Sequence, residues 1–116
     1  MLTTVNLIPI HREHVEIFLR NERSAGAIYQ EYGGLGNEIL LPVNIDPGYG
    51  CAAYGATLDL APDEVVCIVL DRFRDRDHYE AVMARVNADP RIDAIFGEFK
   101  QLVDLRRVVR GEFERA

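Results

Sequence analysis

Lysine is nearly missing from this chain. Of its 13 basic residues only Lys100 is a lysine, and acidic residues number 19, for a formal net charge of -6. A chain of that sign repels phosphate backbones, which excludes nucleic-acid binding by bulk electrostatics. The arginines gather at Arg72-Phe73-Arg74-Asp75-Arg76 and at Arg106-Arg107-Val108-Val109-Arg110. Acids interrupt the first group, and strand alternation would split the second between two faces. Both read as solvated surface.

Cysteine is scarce as well. Cys51 and Cys67 are the only two, too few for a disulfide framework. There is no Cys-x-x-Cys, no His-Glu-x-x-His and no Cys/His cluster, so no tightly built metal site is expected. Gly48-x-Gly50 with Gly55 matches neither a dinucleotide fingerprint nor a phosphate loop, and no cofactor is expected. The longest unbroken apolar run, Val65 to Leu70, falls far short of a membrane span. Met1-Leu2-Thr3-Thr4 lacks the basic start and apolar stretch of a signal peptide, which makes the cytoplasm the expected location. There Cys67, inside an apolar strand, has the character of a small buried hydrophobe. Repeats, low-complexity tracts and linkers are absent too.

What remains is 116 residues of ordinary globular composition, 48% hydrophobic and 28% charged. That fits one domain over 1–116 with one modest core. Residues 2–10 are rich in β-branched side chains and read as a strand that Pro9 ends. Residues 11–32 read as a helix, because Val15, Phe18, Leu19, Ile28, Tyr29 and Tyr32 form one apolar stripe. Ala25 and Gly26 leave room in it for a close contact with a sheet, and Gly33-Gly34 stops it. Residues 35–45 read as an edge strand because of Pro42, and 46–62 as a long connection. Residues 64–73 form the clearest strand. A helix capped by Asp75 follows and ends at Asp89-Pro90. A short helix over 91–103 and a strand over 105–114 close the chain. The order predicts an α+β, ferredoxin-like βαββαβ fold with an extra short helix before the last strand.

The strand at 64–73 is apolar on both faces, Val66, Ile68 and Leu70 on one and Val65, Cys67, Val69, Asp71 and Phe73 on the other. Two helices cover only one face of such a sheet. Each large apolar side chain left in water forgoes roughly 1.5–3 kcal/mol of burial. A second copy of the same sheet is the economical cover, so the expected partner is the chain itself, as a homodimer.

Residues 64–91, EVVCIVLDRFRDRDHYEAVMARVNADPR, resemble the uncharacterised YbaA-like family. The match is carried by Arg76, His78, Ala81, Val82, Ala84, Val86 and Ala88-Asp89-Pro90-Arg91. The opening strand with Pro9 and the helix ending in Tyr32-Gly33 fit too. The resemblance implies the dimeric α/β-barrel superfamily, which also holds antibiotic-biosynthesis monooxygenases and NIPSNAP-like proteins. It implies two sheets facing each other around a ligand cavity, but no particular reaction, since one scaffold hosts many.

Asp71 is the leading catalytic candidate. A carboxylate on an apolar strand face must be paired, wetted or shifted in pKa. The competing reading pairs it with Arg72, Arg74 or an arginine of the last strand. His78, just past the Asp75 cap, is a candidate base or simply a capping residue. With Val5 and Leu7 packed under the helices, Asn6 would point into the barrel beside Cys67 and Asp71, a small polar set in an apolar cavity. Tyr29 and Tyr54, with Tyr32 and Tyr49, could rim its mouth. Two functional readings stay open. One is a cofactor-free enzyme of the monooxygenase or isomerase type acting on a small organic molecule. The other is a non-catalytic dimeric ligand-sensing or interaction module.

Overall fold

The computed structural model describes residues 1–116. Strand β1 (Leu2–His11) is followed by a 3-10 turn (Arg12–His14) and helix α1 (Val15–Glu31). The His11 ring accepts the Glu13 N–H at 3.2 Å and so starts the turn. Gly33, at φ +103°, turns the chain out of α1, a conformation glycine adopts without a Cβ clash. Strand β2 (Gly36–Leu40) comes next, then a one-turn helix α2 (Tyr54–Thr57) inside the long connection, and β3 (Glu64–Phe73). Asp75 accepts the His78 N–H at 2.8 Å and caps α3 (Arg76–Asn87). Asp89, with Pro90 as the first helical residue, caps α4 (Pro90–Leu102). A second 3-10 turn (Leu105–Arg107) leads to β4 (Val109–Glu114).

The strands form one antiparallel sheet in the order β2-β3-β1-β4, the ferredoxin-like arrangement. β2 lies at an edge, as Pro42 requires, but stops at Leu40 before reaching it. β1 pairs with β3 along its whole length and with β4 only as far as Leu7↔Val109. Pro9 therefore sits where one side of β1 is free. Its missing N–H costs no ladder bond, and the strand continues past it to His11.

The register decides which residues face the helices. Leu2↔Phe73, Thr4↔Asp71, Asn6↔Val69 and Ile8↔Cys67 are cross-strand pairs on the covered face. Two buried clusters lie under the helices there. One joins Ile8, Ile10, Cys67 and Val69 to Phe18 of α1; the other joins Leu2 and Phe73 to Ile28, Val82 and Val86. This reverses the expected assignment, which put Val5 and Leu7 beneath the helices and Val69, Asp71 and Phe73 on the uncovered face. Alternation separates two faces but does not say which one the helices take. The packing of Phe18, Ile28, Val82 and Val86 against Leu2, Ile8, Ile10, Val69 and Phe73 shows that choice. The open face carries Val5, Leu7, Ile68 and Leu70, with Leu40, Val109 and Phe113 exposed around them. No helix is long and apolar enough to cross a membrane.

Candidate functional site

Between the two clusters, Thr4, Asn6 and Asp71 interrupt the apolar surface of the sheet. Above them the small side chain of Ala25 leaves space under α1. The result is a cavity of about 350 Å³, thirteen of whose nineteen lining residues are hydrophobic. That size and composition suit a small organic ligand. α3 contributes Tyr79 and Met83; α4 contributes Ile92, Ile95, Phe96 and Phe99; β4 contributes Arg110.

Asp71 is buried at the sheet side of this cavity. Asn37 of β2 donates from Nδ2 to its Oδ1 at 2.7 Å. Asn37 is its cross-strand neighbour on β2, as Thr4 is on β1. Burial raises the Asp71 pKa, against the lowering effects of Asn37, Thr4 and the Arg110 guanidinium. None of the expected arginine pairs forms: Arg72 binds Glu38, whose register places both on the other face.

Glu22 lines the same cavity from the middle of α1. Burial pushes its carboxyl up to about 7, and the nearby Asp71 charge pushes in the same direction. Both forms of Glu22 are then populated near neutral pH. The Tyr29 phenol is raised as well, by burial first and by Asp71 and Glu22 after it. Arg110 donates to the Tyr79 hydroxyl at 2.8 Å and to Glu112 at 2.9 Å. The cavity thus carries two carboxyl groups, one from the sheet and one from α1, together with a guanidinium–phenol pair.

Of the residues expected to form a site, Asn6, Asp71 and Tyr29 meet in this cavity. Cys67 shares their face but is fully buried in the neighbouring cluster, and burial moves its thiol up to about 11. His78 lies outside the lining; its Nδ1 accepts the Arg74 N–H at 2.9 Å and its ring meets Phe73 edge-on. Tyr54 sits in α2, exposed and away from the cavity. The cavity itself lies between sheet and helices of one chain. The expected place was between two sheets, and the reversed faces account for the difference. Glu22, Tyr79 and Arg110 were not among the expected site residues. Glu22 did leave a signal, because it shares the stripe of Phe18, Ala25 and Tyr29 at helical spacing.

Residues 3–101 match the model of a family described as "Protein of unknown function (DUF1428)". No curated protein matches the chain. Among solved structures, an uncharacterised NIPSNAP domain protein from Burkholderia xenovorans superposes with a TM-score of 0.68 at 15% identity, covering 100% of this chain and 95% of that one. A structure described as an antibiotic biosynthesis monooxygenase gives 0.64 at 12% identity, covering 100% and 99%. A variant of SnoaB, a cofactor-independent oxygenase from Streptomyces nogalater, gives 0.55 at 18% identity, covering 98% and 91%. At these identities the likeness is one of fold.

Proposed function

The chain belongs to the DUF1428 family of proteins of unknown function, and from that premise we propose that it is a homodimer that binds a small, mostly apolar organic molecule between its sheet and helices and acts on it without a cofactor. The chemistry is of the type shared by isomerases and cofactor-free monooxygenases. The carrying observation is the cavity of about 350 Å³ in which apolar walls surround Asn6, Asp71 and Tyr29. A protein core of this size ordinarily closes such a space, since unfilled volume costs roughly 24 cal/mol per Å³. Here polar groups are held at its floor instead, which is the composition of a ligand site.

The dimer reading rests on the open sheet face. Val5, Leu7, Ile68 and Leu70, with Leu40, Val109 and Phe113, form a single apolar surface without a helix over it. A second copy related by a two-fold axis covers it with no new chemistry. Residues 1–116 then act as one ferredoxin-like domain per protomer, with a complete cavity in each. Cys51 and Cys67 are free thiols, which suits a reducing compartment such as the cytoplasm.

The test is a fluorescence titration with N-phenyl-1-naphthylamine, a neutral apolar dye small enough for the cavity. The wild-type protein binds it saturably, and Ala25→Phe, which fills the space under α1, abolishes binding while the far-UV spectrum stays unchanged. A wild type that does not bind the dye, or an Ala25→Phe variant that binds it equally well, overturns the proposal. Binding without turnover of any ligand would leave the non-catalytic sensing module as the reading.

A further inference from the structure

Glu22 stands alone in the cavity. It makes no hydrogen bond and no ion pair; only burial and the Asp71 charge act on it. Four glutamates elsewhere in the protein are held by arginine: Glu31 by Arg91, Glu38 by Arg72, Glu64 by Arg107 and Glu112 by both Arg76 and Arg110. A carboxyl group placed unpaired among apolar walls contributes nothing to stability. On the sheet side of the same cavity, Asn6 and Arg110 are cross-strand partners on the covered face. The Tyr79 hydroxyl accepts from Arg110, which leaves its own proton free to donate. An amide, a phenol and a guanidinium together suit a developing oxyanion.

We infer that Glu22 is the group that removes a proton from carbon in the bound molecule, and that this molecule is a neutral carbonyl compound with an acidic C–H beside the carbonyl. The inference rests on the cavity being a ligand site. In the step, the C–H bond breaks and its proton goes to a Glu22 oxygen. The electron pair forms a C=C bond, and the carbonyl π pair moves to oxygen as an enolate facing Asn6, Tyr79 and Arg110. Return of the proton to the same carbon, or to a conjugated one, completes an exchange or an isomerisation. No electron is gained or lost, and no co-reactant is required.

Neutrality of the ligand follows from the charges around the cavity. Asp71 on β3 and ionised Glu22 on α1 repel a ligand that arrives as an anion, whereas the enolate forms only as Glu22 takes up the proton and loses its own charge. The remaining titratable groups facing Glu22 are Tyr29 on its own helix, Tyr79 on α3 and Arg110 on β4, which Glu112 engages. α4 presents only apolar side chains, and β1 only neutral ones. Asp71 is the less suitable base because Asn37 and Thr4 occupy its carboxylate. Burial and Asp71 together place Glu22 at about 7, where base and conjugate acid are both available, as general base catalysis requires.

The experiment is hydrogen–deuterium exchange at the C1 position of 2-tetralone in D2O, followed by proton NMR, with N-phenyl-1-naphthylamine binding measured on the same samples. The wild type exchanges faster than buffer, with a rate that rises through pH of about 7. Glu22→Gln loses about 100-fold or more of that rate while keeping dye binding. Asp71→Asn moves the midpoint to lower pH, because a like charge has gone. Wild-type exchange no faster than buffer, or exchange retained in Glu22→Gln, overturns the inference. If dye binding persists in either case, the ligand-site reading survives; if the wild type binds no dye, both fall.

Discussion

Asn37 reaches Asp71 through a gap that Gly26 leaves in helix α1. The Asn37 Nδ2 donates to Asp71 Oδ1 at 2.7 Å, while a Cβ built on Gly26 would stand 2.5 Å from Asn37 Oδ1 and 3.1 Å from its Cβ. Helix, edge strand and central strand therefore meet at one point, and that point sets the carboxylate on the cavity floor. The small residues at 25–26 serve two ends: Gly26 admits the edge strand, and Ala25 leaves the cavity open.

Gly26→Ala tests the contact. Helix propensity alone favours alanine by about 1 kcal/mol. The clash forces Asn37 away from Asp71, and overpacking of this kind costs about 1–3 kcal/mol. Urea unfolding is expected to show a net loss of stability that Gly26→Ala/Asn37→Ala partly recovers. A single variant at least as stable as wild type would contradict the packing described.

Glu22 makes stability depend on pH. Its folded pKa of about 7 lies above the ordinary value of 4.5. The folded state therefore holds the proton longer than the unfolded chain does. The Glu22 contribution to stability is most favourable below pH 4.5, becomes less so as pH rises from there to about 7, and is then level. Glu22→Gln removes this slope. Its advantage over wild type should be small at pH 4 and grow to about 2 kcal/mol at pH 8, after allowing for solvent screening. A constant difference across that range would be inconsistent with the burial described.

Phe113 tests the open face. The residue is 57% exposed, and its ring lies over Gly111, whose added Cβ would come within 2.8 Å of it. Phe113→Asp removes little buried area within one chain, so the fold should survive. A charge on the apolar open face of a two-fold sheet contact should halve the sedimenting mass at micromolar concentration. A wild type that already sediments as a monomer would rule out the proposed dimer.

The cysteines differ in reactivity for a physical reason. Cys51 is exposed, whereas Cys67 is wholly buried with its thiol at about 11. Thiol reagents act on the thiolate. A disulfide reagent such as 5,5′-dithiobis(2-nitrobenzoic acid) should titrate one thiol per chain in the native protein and both in denaturant. Rapid modification of both in the native state would show that the core around Cys67 opens.

Much of the fold could be read locally. The strand over 64–73 keeps the same limits in the structure, because its apolar run is bounded by turn residues. Asp75 caps α3 and Asp89-Pro90 separates it from α4, because caps and proline act within a few residues. The apolar stripe predicts a helix from 11, but Arg12–His14 form a 3-10 turn. The side-chain pattern predicts the last strand from 105, where another such turn precedes Val109. Helix ends of this kind differ only in which carbonyl accepts, and side-chain pattern does not report that.

The candidate site divides in the same way. Asp71, Asn6 and Tyr29 were visible as polar groups on apolar elements. Glu22 shares the helical stripe of Phe18, Ala25 and Tyr29, but only the structure places it in one cavity with Asp71. The sequence by itself determined the order of elements and the existence of two apolar sheet faces, since alternation and capping are properties of neighbouring residues. Only the tertiary structure decided which face the helices cover. A strand offers its two faces equally, and a change of face moves every second side chain to the other side. Burial of Leu2, Ile8, Ile10, Val69 and Phe73 against the apolar stripes of α1 and α3 settles it, and with it the cavity lies under the helices.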